Sequence, residues 1–134
     1  MTRLEKVYQF AIKAHSGQKR NNGEAYVNHS IRISNRLLNN NEKIVALLHD
    51  VFEDNPNLDF DNACKELNLG VDEIEALTVL TRKKHQTYLN YIRNIPVSSL
   101  ATKVKIEDLK DNLSDLVEGS QRDKYELALY LLQV

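Results

Sequence analysis

The chain has 134 residues, 42% of them hydrophobic and 28% charged, with a formal net charge of -1. That length suits one domain burying roughly two-thirds of its unfolded surface, and that composition excludes a disordered chain. So small a charge gives no general attraction to nucleic acid or membrane, and an anion site must be a local cluster.

The expected elements are all helical. Thr2-x-x-Glu5 reads as a capping box opening a helix with Leu4, Val7, Tyr8, Ala11 and Ile12 as its apolar stripe. Ser16-Gly17 ends it, and Lys19 to Gly23 is a polar, basic loop. A second helix is expected near Asn28, carrying Ile31, Ile33, Leu37 and Leu38. The next is expected from an Asn41 cap through Asp54 as one continuous helix. Asp59 caps a short helix closing at Asn68-Leu69-Gly70, and Asp72-x-x-Glu75 opens another. Further helices are expected over Thr87 to Ile95, stopped by Pro96, from Ser98 or Ser99 through Val117, and from Arg122 to the C-terminus. Four Gly and two Pro leave little for strands with tight hairpins. The fold class expected is all-α, a single-domain compact helical bundle over residues 1–134. No apolar run nears the roughly 18 residues of a spanning helix, and no signal-peptide core is visible at the N-terminus. Cys64 is the sole cysteine, which excludes an internal disulfide and gives the expectation of a reducing cytoplasm.

The segment Ala46-Leu47-Leu48-His49-Asp50-Val51-Phe52-Glu53-Asp54 sets a His-Asp pair beside a Glu-Asp pair after an aliphatic run. Ionisable groups this dense beside a core stripe are costly unless a metal or substrate satisfies them. On a helix His49 and Glu53 share one face and Asp50 and Asp54 the adjoining one. A divalent cation could then take His49 and Asp50, leaving Glu53 and Asp54 one turn on, near a bound water. His29 and Asp108 complete the constellation, with Asn112 one turn below Asp108. Two imidazoles and two carboxylates suit a borderline or hard divalent ion and leave coordination positions open for water and a phosphate oxygen. Phosphate charge would call for cations, which Lys19, Arg20 and Lys105 can supply. Tyr88 and Tyr91 are expected in the core, and Arg82-Lys83-Lys84 reads as a solvated charge run. His15 reads as structural, near the end of the first helix.

The order of five motifs resembles the HD-domain metal phosphohydrolases, and in finer pattern the hydrolase domain of Rel/SpoT-type alarmone enzymes and their small stand-alone relatives. The motifs are Ala14-His15-x-Gly17-Gln18-Lys19-Arg20, Gly23-x-x-Tyr26-Val27-x-His29, Ala46-Leu47-Leu48-His49-Asp50-x-x-Glu53-Asp54, Leu77-x-x-Leu80-Thr81 and Val104-Lys105-Ile106-x-Asp108-x-x-x-Asn112. The resemblance implies His29, His49, Asp50 and Asp108 as metal ligands. The ion it implies is manganese, with iron, cobalt, nickel, zinc or magnesium as alternatives. It implies Glu53 and Asp54 as the pair that positions and activates water, and Lys19, Arg20 and Asn112 as groups meeting the nucleotide. The implied substrate is a small molecule, a guanosine carrying a 3′-diphosphate, hydrolysed with release of pyrophosphate. An HD-type phosphatase for another phosphoester, such as a nucleoside monophosphate, and a non-catalytic nucleotide-binding module are the rival readings. Ser30, Glu107 and Phe52 depart from the residues usual in that family. No nucleic-acid or membrane partner is expected, and the oligomeric state is left open.

Overall fold

A computed structural model describes residues 1–134. The chain forms α1 (Arg3–Ala14), α2 (Val27–Asn35), α3 (Asn40–Leu48), α4 (Val51–Asp54), α5 (Phe60–Glu66), α6 (Val71–Leu80), α7 (Tyr88–Asn94), α8 (Ser99–Asp115) and α9 (Ser120–Gln133), with a 3-10 turn at Ile95–Val97. The sole β contact is an isolated antiparallel bridge between Lys19 and Ala25, which pinches the loop before α2.

Local chemistry explains most boundaries. The hydroxyls of Thr2, Thr87 and Ser98 and the Asp59 carboxylate each accept a backbone N–H three residues on, opening α1, α7, α8 and α5. Pro96 does not end the α7 region abruptly. It sits near the start of the 3-10 turn, where a missing N–H costs nothing.

Several sequence expectations need correction. The N-cap of α3 is Asn39 rather than Asn41, because the Glu42 carboxylate reaches back to the Asn39 N–H at 3.4 Å. Helix α6 opens at Gly70 rather than Asp72, since Glu73 accepts the Gly70 N–H at 2.8 Å and also pairs with Arg3. Helix α2 ends at Asn35, and Leu38, expected in its stripe, is 90% exposed. Helix α8 stops at Asp115, two residues early, and α9 starts at Ser120, two residues before Arg122.

The helix expected to run from Asn41 through Asp54 is two helices, interrupted at His49–Asp50. In an unbroken helix the Ala46 carbonyl would accept the Asp50 N–H. Here the His49 imidazole takes that carbonyl instead, Nδ1 to O at 2.6 Å, and the ladder stops. The break turns the His-Asp pair away from a simple helical face.

Helix α3 is the centre of the bundle. Ile44, Val45, Ala46, Leu47 and Leu48 are all at most 1% exposed, and α1, α2, α6 and α8 pack around them. A buried aliphatic side chain of this size is worth about 1.5–3 kcal/mol. Helix α3, which leads into His49, is therefore anchored by a run of five fully buried side chains. A site built on its C-terminal end is built on rigid ground.

Candidate metal centre and pocket

Three elements bring four side chains together. The first turn of α2 carries His29, the end of α3 leads into His49 and Asp50, and the middle of α8 carries Asp108. Each offers one donor atom, and these atoms lie within 4.8 Å of one another. His29 Nε2 is 2.8 Å from Asp108 Oδ1, His49 Nε2 is 3.2 Å from the same oxygen, and His49 Nε2 is 3.0 Å from Asp50 Oδ2. Donors at about 2.1 Å from one ion stand about 3.0 Å apart when adjacent. The nitrogen and oxygen set and its spacing therefore fit a divalent cation.

Each of the four has a further hydrogen-bond partner that holds it in place. His49 donates from Nδ1 to Ala46 O, which leaves Nε2 facing the carboxylates. His29 Nδ1 meets Asp111 Oδ2 at 2.6 Å. The Tyr26 hydroxyl donates to Asp50 Oδ2 at 2.9 Å. Asp108 accepts from Lys105 Nζ at 2.8 Å and from Asn112 Nδ2 at 3.3 Å. Burial would push the Asp108 carboxyl up, but the charges of Lys105 and His49 hold it well below the usual carboxylate range. Burial alone would lower His49, and the charges of Asp50 and Asp108 outweigh it and raise the imidazole well above its ordinary value. In the metal-free protein a proton on His49 thus offsets the acid that a cation would otherwise neutralise.

The acidic pair stands beside this cluster on α4. Glu53 accepts the Arg82 N–H at 3.2 Å, and Asp54 accepts from the Gln18 amide at 3.1 Å. Desolvation and then the charge of Asp50 raise both carboxyls above their ordinary values. Raised carboxyls next to a cation site are suited to taking and returning protons.

A cavity of about 270 Å³ opens over the cluster, walled by Asp50, Asp108 and Glu53, by Lys105 and Asn112, and by residues of α7 and α9. Lys105 and Asn112 therefore stand where a substrate would meet them. Lys19 is exposed and does not line the cavity. Arg20 also stays behind the wall, donating to Asn112 Oδ1 at 2.9 Å and pairing with Asp111 at 3.3 Å. Tyr91 is buried, as expected, with its hydroxyl donating to Leu80 O at 2.8 Å, while Tyr88 is half-buried at the cavity wall. Sequence reasoning left Arg82 as a solvated cation and missed Lys124 and Tyr125. Neither Arg82 nor Lys124 pairs with a carboxylate, and both lie over the Tyr88 ring, at 5.6 and 4.0 Å from its centre. Arg82 and Lys124 are far apart in sequence, so no local pattern joins them. A larger groove of about 670 Å³, between α1 and α5, has none of these groups.

No protein-family model matches the chain. Among curated proteins it is similar to the bifunctional (p)ppGpp synthase/hydrolase SpoT of Escherichia coli K12, 34% identical over 94 aligned positions that cover 63% of this chain and 13% of the relative. The guanosine-3′,5′-bis(diphosphate) 3′-pyrophosphohydrolase of Haemophilus influenzae is 33% identical over 86 positions, covering 57% of this chain and 13% of the relative. The one from Aquifex aeolicus is 25% identical over 145 positions, covering 98% of this chain and 20% of the relative. These relatives carry the names of a (p)ppGpp synthase/hydrolase and of guanosine-3′,5′-bis(diphosphate) 3′-pyrophosphohydrolases. The chain spans a fifth or less of the length of these relatives. The all-helical bundle agrees with the HD-type fold that the motif order implies, and no helix is long and apolar enough to cross a membrane.

Proposed function

We propose that residues 1–134 act as one hydrolase domain that removes pyrophosphate from guanosine 3′,5′-bis(diphosphate), with Mn²⁺ held by His29, His49, Asp50 and Asp108. The observation that carries this reading is the meeting of a four-donor cation site, the raised carboxyl of Glu53 and two cations without carboxylate partners, Arg82 and Lys124, at one cavity, with Asp54 next to Glu53 but outside the wall. The bound ion would polarise a phosphoryl oxygen and lower the pKa of water towards ~7. Glu53 and Asp54 accept the proton of the attacking water, whose oxygen joins the phosphorus as the bond to the 3′-oxygen breaks, and that proton is returned to the departing 3′-oxygen. The products are pyrophosphate and GDP. Lys105, held against Asp108, faces the charge that builds on the transferred group, and Asn112 borders the same space. Lys19 and Arg20, the basic-loop residues that the family pattern assigns to the nucleotide, support substrate binding from outside the wall. Arg82 and Lys124 receive the remaining phosphates. A substrate of this kind makes the chain an alarmone hydrolase of the stringent response, acting in the cytoplasm.

One observation favours a second reading. A cavity of about 270 Å³ lies at the lower end of ligand pockets, which suits a smaller phosphoester such as a nucleoside monophosphate. Two unpaired cations beyond the ion site exceed what a single monoester needs, and they favour the polyphosphorylated nucleotide.

The deciding assay supplies guanosine 3′,5′-bis(diphosphate) or GMP with Mn²⁺, and again with EDTA. Pyrophosphate from the first substrate, abolished by EDTA, is the expected result. Orthophosphate from GMP alone would select the second reading, and nucleotide binding without product would make the chain a binding module. Lys124→Ala should raise KM about 10- to 100-fold with kcat little changed, since a charge-assisted hydrogen bond is worth about 1.5–3 kcal/mol. A fall in kcat at constant KM would remove Lys124 from substrate binding.

A further inference from the structure

Asp111 is the most heavily bonded carboxylate in the protein outside the four candidate ligands. It lies one turn beyond Asp108 on α8 and is 1% exposed. Arg32 grips it with two hydrogen bonds, Nε to Oδ1 and Nη2 to Oδ2, both at 2.9 Å. Arg20 and Arg36 each approach it at 3.3 Å. A carboxylate enclosed by three guanidinium groups is ionised and can only accept hydrogen bonds. Its remaining close partner is His29 Nδ1, at 2.6 Å. A hydrogen on His29 Nδ1 therefore faces Asp111, and Nε2, 2.8 Å from Asp108 Oδ1, is the nitrogen left to hold an ion.

We propose that Asp111 is a positioning residue of the metal centre, which fixes the tautomer and tilt of His29 and strengthens its Nε2 as a donor, the three arginines holding Asp111 in place. This rests on the reading of His29, His49, Asp50 and Asp108 as ion ligands. It makes the two imidazoles unequal. His49 leans on a neutral backbone carbonyl, Ala46 O, whereas His29 leans on a buried anion. It also gives Arg20 a role apart from substrate. One guanidinium reaches His29 through Asp111 and reaches Asp108 through Asn112, whose amide donates to Asp108 Oδ1. The loop that carries Arg20 thereby braces two ligands from different helices.

The test titrates metal-free protein with Mn²⁺ by calorimetry and follows the imidazole ¹⁵N shifts of the same metal-free samples. Wild type should bind one Mn²⁺ and keep a hydrogen on His29 Nδ1. Asp111→Asn should bind it 10–100-fold more weakly, the usual loss for an outer-shell partner, with the His29 shifts moved and those of His49 unchanged. Arg32→Gln, which keeps the carboxylate and loosens its grip, should change both readouts in the same direction by less. Wild type that binds no Mn²⁺ would end the metal reading and this inference with it. A wild type that binds, beside an Asp111→Asn protein of equal affinity and unmoved His29 shifts, would overturn the inference alone. Should Asp111→Asn fail to fold, unchanged affinity and shifts in Arg32→Gln would overturn it.

Discussion

Asp108→Ala should lose Mn²⁺ binding and hydrolysis together, and the metal-free protein should also be less stable. Asp108 is the oxygen on which both imidazoles converge, and it is the partner of Lys105. Both members of that ion pair are buried. Removing one partner of a buried pair typically costs about 3–5 kcal/mol, because the other charge is left without compensation. In a domain of this size that lowers the melting temperature by about 10 °C or more. Calorimetric Mn²⁺ titration, product assay and thermal unfolding read the three effects separately. Asp50→Asn serves as a check, since Asp50 is less buried and has no lysine to strand. It should lose the ion with a smaller change in stability. Wild-type Mn²⁺ affinity in Asp108→Ala would remove Asp108 from the ligand set and with it the centre as drawn.

Glu53→Gln should behave in the opposite way, losing about 10²- to 10⁴-fold in kcat while keeping both the ion and the fold. The direction of its stability change follows from linkage. The Glu53 carboxyl is raised in the folded protein by desolvation and by Asp50, so the folded state binds its proton more tightly than the unfolded state does. Folding is favoured while the group is protonated, and that contribution is lost as pH rises from the ordinary glutamate range through the raised folded value. Once ionised, Glu53 is therefore a burden on folding, and Glu53→Gln should melt no lower than wild type. A proton acceptor must be ionised to act, so activity of the Mn²⁺-loaded protein should rise with pH along an acid limb, and Glu53→Gln should lose or displace that limb. Retained turnover with an unchanged pH profile would assign the water-activating role elsewhere, with Asp54 the next residue to change.

Local chemistry made much of this protein legible before any coordinates. A hydroxyl or carboxylate at a cap binds the N–H three residues on wherever the helix packs, so the openings at Thr2, Asp59, Thr87 and Ser98 could be read directly. The His49-Asp50 and Glu53-Asp54 pairs stood out for the same reason, as charges within one short segment after an aliphatic run. The break at His49 was not legible. It depends on an imidazole winning a carbonyl from the backbone, which happens only where the ring is held by partners on other helices.

Amino-acid sequence by itself determined the all-helical class, most helix starts, and the residue types that could meet a cation. Only the tertiary structure decided which of the many charged residues do so. Along α8, Glu107, Asp108, Lys110, Asp111 and Asp115 form one unremarkable charged run. Packing of α8 against α2 and α3 buries Asp108 beside His29 and His49 and buries Asp111 among three arginines, from α2, its C-terminal cap and the loop before it. Arg82 and Lys124 become neighbours over one tyrosine ring because α6, α7 and α9 meet at that end of the bundle. The physical reason is range. Caps and periodicity act over a few residues of chain, whereas desolvation and ion pairing act through space and depend on which elements the core brings together.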